Sequence, residues 1–216
     1  MTKELVCANI TNVMKEERRK QTEQKLIECG EREFLEKGYA KANLREICKS
    51  AGVTTGAFYF SFENKEALLA AVLDPVIADY ERMCRMLARR EEEDPDSAQE
   101  NERMLMEYLS NHRKEAIILM EKCGGSRYEG FREQIILQMQ AAFTSYFEKF
   151  MGSRPDPELI RILVSMRLQG YMELIKGEYS VEERVRFAHE IGIHADAGTR
   201  ALIQYLARSE ERRVGK

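Results

Sequence analysis

A chain of 216 residues that is 44% hydrophobic and 33% charged has the apolar material for one large packed domain or two small ones. No stretch approaches the roughly 20 apolar residues of a bilayer-spanning helix, and the opening MTKELVCANI, with Glu4 early, is not expected to act as a secretion signal. The net charge of −3 does not advertise nucleic acid, and the first 74 residues balance 12 basic against 12 acidic side chains, so only local placement decides whether this part meets phosphate. The cysteines at 7, 29, 48, 84 and 123 have no C-x-x-C spacing. Reduced thiols and a cytoplasmic location are therefore expected, without zinc, disulfides or another cofactor.

The period of the apolar residues is helical almost throughout, so the fold is expected to be all-α. Residues 1–20 form an N-terminal extension in which Lys15, Arg18, Arg19 and Lys20 are interrupted by Glu16 and Glu17. It reads either as an arm toward a minor groove or as a solvated helix face, and the two glutamates favour the second. A first good helix is expected from Thr22 to Lys37, with Gly30 inside it marking a close helix crossing and Gly38 as its stop. A second opens at Asn43, where Asn43 and Glu46 have the form of a capping box, and ends at Gly52. A third starts at Thr54 and ends near Phe62, and a fourth starts near Asn64 with Leu68, Leu69 and Val72 inward. Pro75 is expected to break the fourth helix from the next. Further helices are expected over about 76–92, 97–111, 113–122, 126–151, 156–176 and 181–206, with Ser97, Ser126 and Ser180 as N-caps.

Two short helices joined by a turn at Gly52 make a helix-turn-helix unit. Phe58 and Phe62, four residues apart, fall on its buried side, and Tyr59 and Phe60 on the outer side beside Thr55, Gly56 and Ala57. Small residues let the backbone approach bases, and hydroxyls reach phosphates. From Leu26 to Leu69 the chain resembles the TetR family of bacterial transcriptional regulators. The resemblance rests on the Leu26–Phe34 pattern, Gly38-Tyr39, Ile47, Ala51-Gly52-Val53-Thr54, Gly56, Tyr59, Phe62, Lys65-Glu66 and Leu68. It implies an N-terminal three-helix DNA-binding domain at 21–74 and a larger helical effector-binding and dimerisation domain at 75–208, followed by a tail at 209–216. Carried over by position, it implies that Thr55, Gly56, Ala57 and Phe60 face base edges, with Thr54 capping beside them. Tyr59, Ser61 and Lys65 fall on phosphate-contacting positions. Asn43 can contact phosphate while capping, and Arg45 is a candidate guanine reader. The chain departs from the family at Ala42, Cys48 and Phe60. With almost no long hydrogen-bonding side chain on the third helix, base reading leans on apolar contact, on Arg45 and on DNA shape.

Nine of the 11 methionines lie beyond Pro75. They suit either core filling or an adaptable pocket for a small apolar or aromatic effector. Met83, Tyr108, His112, Met120, Tyr128, Phe131, Met166 and Tyr171 are the candidate lining. His189 and His194, five apart, do not share a helix face, so no metal site is expected. Cys123 reads as an inert thiol. The last two long helices are apolar on more than one stripe, and the small residues at 188, 192, 195 and 199 permit close approach, which suits a homodimer. The function expected is a ligand-responsive repressor of a palindromic operator. The alternative is an effector-independent DNA-organising protein. An enzyme is not expected, because the chain has no phosphate-cradling glycine loop, nucleophile elbow or H-E-x-x-H.

Overall fold

The computed structural model describes residues 3–94 and 97–214, with side chains outside 3–13, 92, 98 and 210–214. Among the described residues it is all-α. In these residues nine α-helices run in order: α1 Lys3–Lys37, α2 Leu44–Ala51, α3 Thr55–Phe58, α4 Lys65–Glu93, α5 Ala98–Asn111, α6 Arg113–Ile117, α7 Phe131–Met151, α8 Pro157–Lys176 and α9 Val181–Val214. A π-helical turn, Ile118–Lys122, continues α6. No described helix is long and apolar enough to cross a membrane.

The chain divides into two compact units. The first is Met1–Asp79 with Ile118–Glu129, and the second is Tyr80–Ile117 with Gly130–Lys216. Residues 118–129, placed by sequence in the C-terminal region, thus group with the N-terminal unit. In that unit Leu26, Phe34, Ile47, Phe58, Leu68, Leu69 and Leu73 are fully buried, which closes α1, α2, α3 and the start of α4 around one core. Gly30 is the crossing point expected of it: a Cβ there would stand 2.8 Å from Leu68 Cδ2 on α4.

Several local expectations are corrected. Helix α1 begins at Lys3, not Thr22, because no Gly or Pro interrupts the chain before Gly30. The basic run Lys15–Lys20 therefore lies on an exposed helical face, where Arg19 pairs with Glu16 at 3.7 Å. Pro75 does not break the fourth helix, since α4 passes through it from Lys65 to Glu93. Proline removes one backbone donor and crowds the preceding turn, a cost of about 3 kcal/mol. The burial of Leu68, Leu69, Val72 and Leu73 on one side of Pro75 and of Leu87 on the other outweighs it. Asn43 does cap α2, accepting the Arg45 N–H at 2.9 Å. Its own N–H goes to Glu33 of α1 rather than to Glu46, so the capping box is replaced by a tertiary bond. Ser97 donates to the Asp94 carbonyl and makes no side-chain cap. Ser126 closes a turn on Cys123 ahead of α7, which starts only at Phe131. Ser180 caps α9 as expected, in a reciprocal pair with Glu183.

In the second unit one core cluster gathers Met106, Leu174, Ile175 and Ala188, and another gathers Phe147, Ile160, Val164 and Ile203. Ala188 and Gly192 were expected to face a partner, but they pack within the unit. Ala188 is core, and a Cβ on Gly192 would collide with the Glu102 carboxylate.

Candidate nucleic-acid interface

The segment Ala51–Phe62 forms as its residue types require. Gly52 ends α2 in the left-handed region at φ 69°, which spares the Cβ clash another residue would suffer there. The Thr54 hydroxyl accepts the Ala57 N–H at 3.1 Å and so caps α3. Regular helix stops at Phe58, sooner than expected, yet the Phe62 N–H still donates to the Phe58 carbonyl at 2.9 Å, so the turn keeps its coil. Phe58 and Phe62 are accordingly 0% and 6% exposed, while Tyr59 and Phe60 are 58% and 85% exposed. The Tyr59 ring stands edge-on to Phe58 at 5.3 Å, which fixes its direction.

The other candidate contacts lie around this turn. Asn43, Arg45, Thr54, Thr55 and Gly56 are exposed; Ala57, Ser61 and Lys65 are partly buried. Lys65 does more than the sequence suggested. Its ammonium donates to the Tyr39 carbonyl at 2.6 Å and to the Ala42 carbonyl at 3.1 Å, and it sits 4.4 Å above the Tyr39 ring. Two of its three N–H groups thus hold the turn between α1 and α2, and burial lowers its pKa.

Beside Lys65 lies a hydrogen-bonded network that the sequence reading did not assign. Glu66 accepts the Tyr39 hydroxyl at 2.6 Å on one oxygen and the Arg127 N–H at 2.8 Å on the other. Asp74 accepts the Arg127 guanidinium at 2.7 Å and also the Tyr128 hydroxyl. The Tyr39 N–H donates to the Lys122 carbonyl at 2.8 Å. Residues 122–128 are thereby fastened to the same turn and to α4. The signal in the sequence was the placement of Gly38-Tyr39 and Lys65-Glu66 within the resemblance, but nothing pointed to Arg127. Cys123 is buried here and its thiol is pushed up to about 11, which fits an inert thiol.

The proposed effector residues divide between the two units. Met120 and Tyr128 belong to the first unit, and Tyr128 is engaged with Asp74. The other six belong to the second. Tyr171 donates to Glu102 at 2.8 Å, Tyr108 stacks on His112 at 4.5 Å, and Met83 and Phe131 are partly buried. Met166 is 67% exposed on the outer face of α8, so it lines no interior. An open depression of about 410 Å³ runs along α4, lined by Arg82, Arg85, Met86, Arg89, Arg90 and Glu93 and by none of the eight.

A family model, that of the bacterial regulatory proteins of the tetR family, matches residues 26–72, the stretch that carries the capped turn and its core. Over that segment the chain is similar to the TetR family. Among its relatives, the HTH-type transcriptional regulator TtgR of Pseudomonas putida is 37% identical over 79 residues, which is 37% of this chain and 38% of that one. The HTH-type transcriptional repressor DhaR of a Mycobacterium species is 41% identical over 59 residues, 27% of this chain and 30% of that one. The chain thus matches only 38% and 30% of the length of these two curated relatives. A transcriptional regulator from Aquifex aeolicus VF5 shares the fold, with a TM-score of 0.52 at 24% identity over 78% of this chain and 96% of that one.

Proposed function

We propose that the protein is a transcriptional repressor that binds a palindromic DNA operator as a homodimer and is released by a small apolar or aromatic effector. The observation that carries the reading is the outward Tyr59-Phe60 pair, set on a capped turn over buried Phe58 and Phe62 inside the family-matched segment. Tyr59, Ser61, Asn43 and the remaining N–H of Lys65 would meet phosphates, while Thr55, Gly56, Ala57, Phe60 and Arg45 would face base edges. A dimer supplies two such turns for grooves about 34–36 Å apart. Support for the dimer comes from α8 and α9, which leave Ile162, Met166, Ile191, Ile193 and Tyr205 exposed. An effector that fits the second unit better in a conformation with misplaced reading heads would lower operator affinity by population shift. Two covalent routes lead from that unit to the head: α4, continuous through Pro75, and the segment after α6 that ends on Glu66 and Asp74.

Gel shifts with duplexes tiling the DNA upstream of the protein's own gene test the reading. A retarded duplex at low salt, lost in Tyr59→Ala, is expected. Absence of binding by every duplex at low salt overturns it. Sedimentation of Met166→Glu against the unaltered protein tests the interface, with dissociation expected.

A further inference from the structure

Phe60, at 85%, is the most exposed large apolar side chain among the described residues. Its ring stays out of the stack that joins Phe58 to Tyr59 and Phe62, yet its N–H is bonded to the Ala57 carbonyl at 3.3 Å, so the ring projects from a fixed turn. From Ala51 to Phe62 the chain holds no Arg, Lys, His, Asp, Glu, Asn or Gln. The bidentate pairings that distinguish guanine and adenine are therefore closed to this segment. The hydroxyl of Thr54 is taken up by the Ala57 N–H, and Lys65, the first lysine after the segment, holds the carbonyls of Tyr39 and Ala42. Apart from the hydroxyls of Thr55, Tyr59 and Ser61, what remains at the outer surface is apolar, and the apolar landmark of the major groove is the 5-methyl group of thymine.

We infer that Phe60 reads the 5-methyl group of one thymine in each operator half-site, and that the same ring accepts 5-methylcytosine in that place. The inference rests on the DNA-binding reading above and assigns its base specificity. A ring that instead wedged between base steps would bend the duplex and be indifferent to the methyl group.

The test uses the full chain and a duplex enriched from a random pool. That duplex is remade with each thymine in turn replaced by deoxyuridine, which removes the methyl group alone. At one position per half-site, deoxyuridine is expected to weaken binding by about 3- to 5-fold, as loss of one buried methyl contact implies. Phe60→Ala should bind both duplexes equally, and Phe60→Leu should keep part of the preference. Cytosine at that position should weaken binding, and 5-methylcytosine should restore most of the loss. Equal binding of thymine and deoxyuridine at every position, or a preference unchanged in Phe60→Ala, overturns the inference while DNA binding stands. A pool that enriches no duplex overturns both.

Discussion

The Tyr39 hydroxyl donates to Glu66 at 2.6 Å, tying the turn after α1 to the first turn of α4. Burial first, and then this carboxylate, push the Tyr39 pKa up to about 12. A phenol whose folded pKa lies above its unfolded value of about 10 stabilises fully below pH 10 and loses that contribution as pH rises through 12. Tyr128, held by Asp74, is shifted to about 12 in the same sense. Urea midpoints should therefore fall between pH 10 and 12, and Tyr39→Phe should flatten that fall. An equally steep fall in Tyr39→Phe would remove Tyr39 from the account.

Lys65 holds two carbonyls of the α1–α2 turn, so its loss should register before any DNA is added. Lys65→Met is expected to destabilise the protein by about 1.5–3 kcal/mol, the range for hydrogen bonds from a charged donor. Tyr59→Ala, which removes an exposed ring, should change stability far less and operator affinity more. Denaturant curves and binding titrations on both variants separate the two roles.

Two glycines of the same unit should respond for different reasons. Gly52 has open space around it, so Gly52→Ala meets only the left-handed backbone penalty, about 1–2 kcal/mol. Gly30 has ordinary helical geometry but faces the buried Leu68, so Gly30→Val overpacks the crossing and should cost about 1–3 kcal/mol. Adding Leu68→Ala should recover part of the second loss and none of the first, as a double-mutant cycle by thermal unfolding would report.

Arg184 is buried, and its guanidinium donates to the carbonyls of Leu174 and Gly177 at 3.0 Å each, closing the end of α8. Arg184→Met would fill similar space but orphan both carbonyls. A loss of about 2–3 kcal/mol is expected in chemical denaturation, and Arg184→Lys should recover only part of it, because one ammonium cannot reproduce the fork.

Much of the reading head was legible because its determinants are local. Thr54, Gly52 and the spacing of Phe58 from Phe62 act within a turn of the chain, and a cap, a left-handed stop and a 3.6-residue period are written in neighbouring residues. The misreadings at Pro75 and Asn43 share one cause. Each was judged by local propensity, and each is settled by a tertiary term: burial along α4 in the first case and Glu33 of α1 in the second. Met166 was misplaced because a methionine on an amphipathic helix carries no mark of whether its face meets a core or the outside.

By itself, then, the order of residues determined the helical class, the capped turn and the outward aromatic pair, since these depend on interactions between residues a few positions apart. Only the folded chain decided that residues 118–129 join the N-terminal unit, that Arg127 and Glu66 fasten them there, and that Lys65 supports a turn. Those partners lie between 23 and 61 residues apart. Which distant groups meet is set by how buried faces pack, and no local pattern records it.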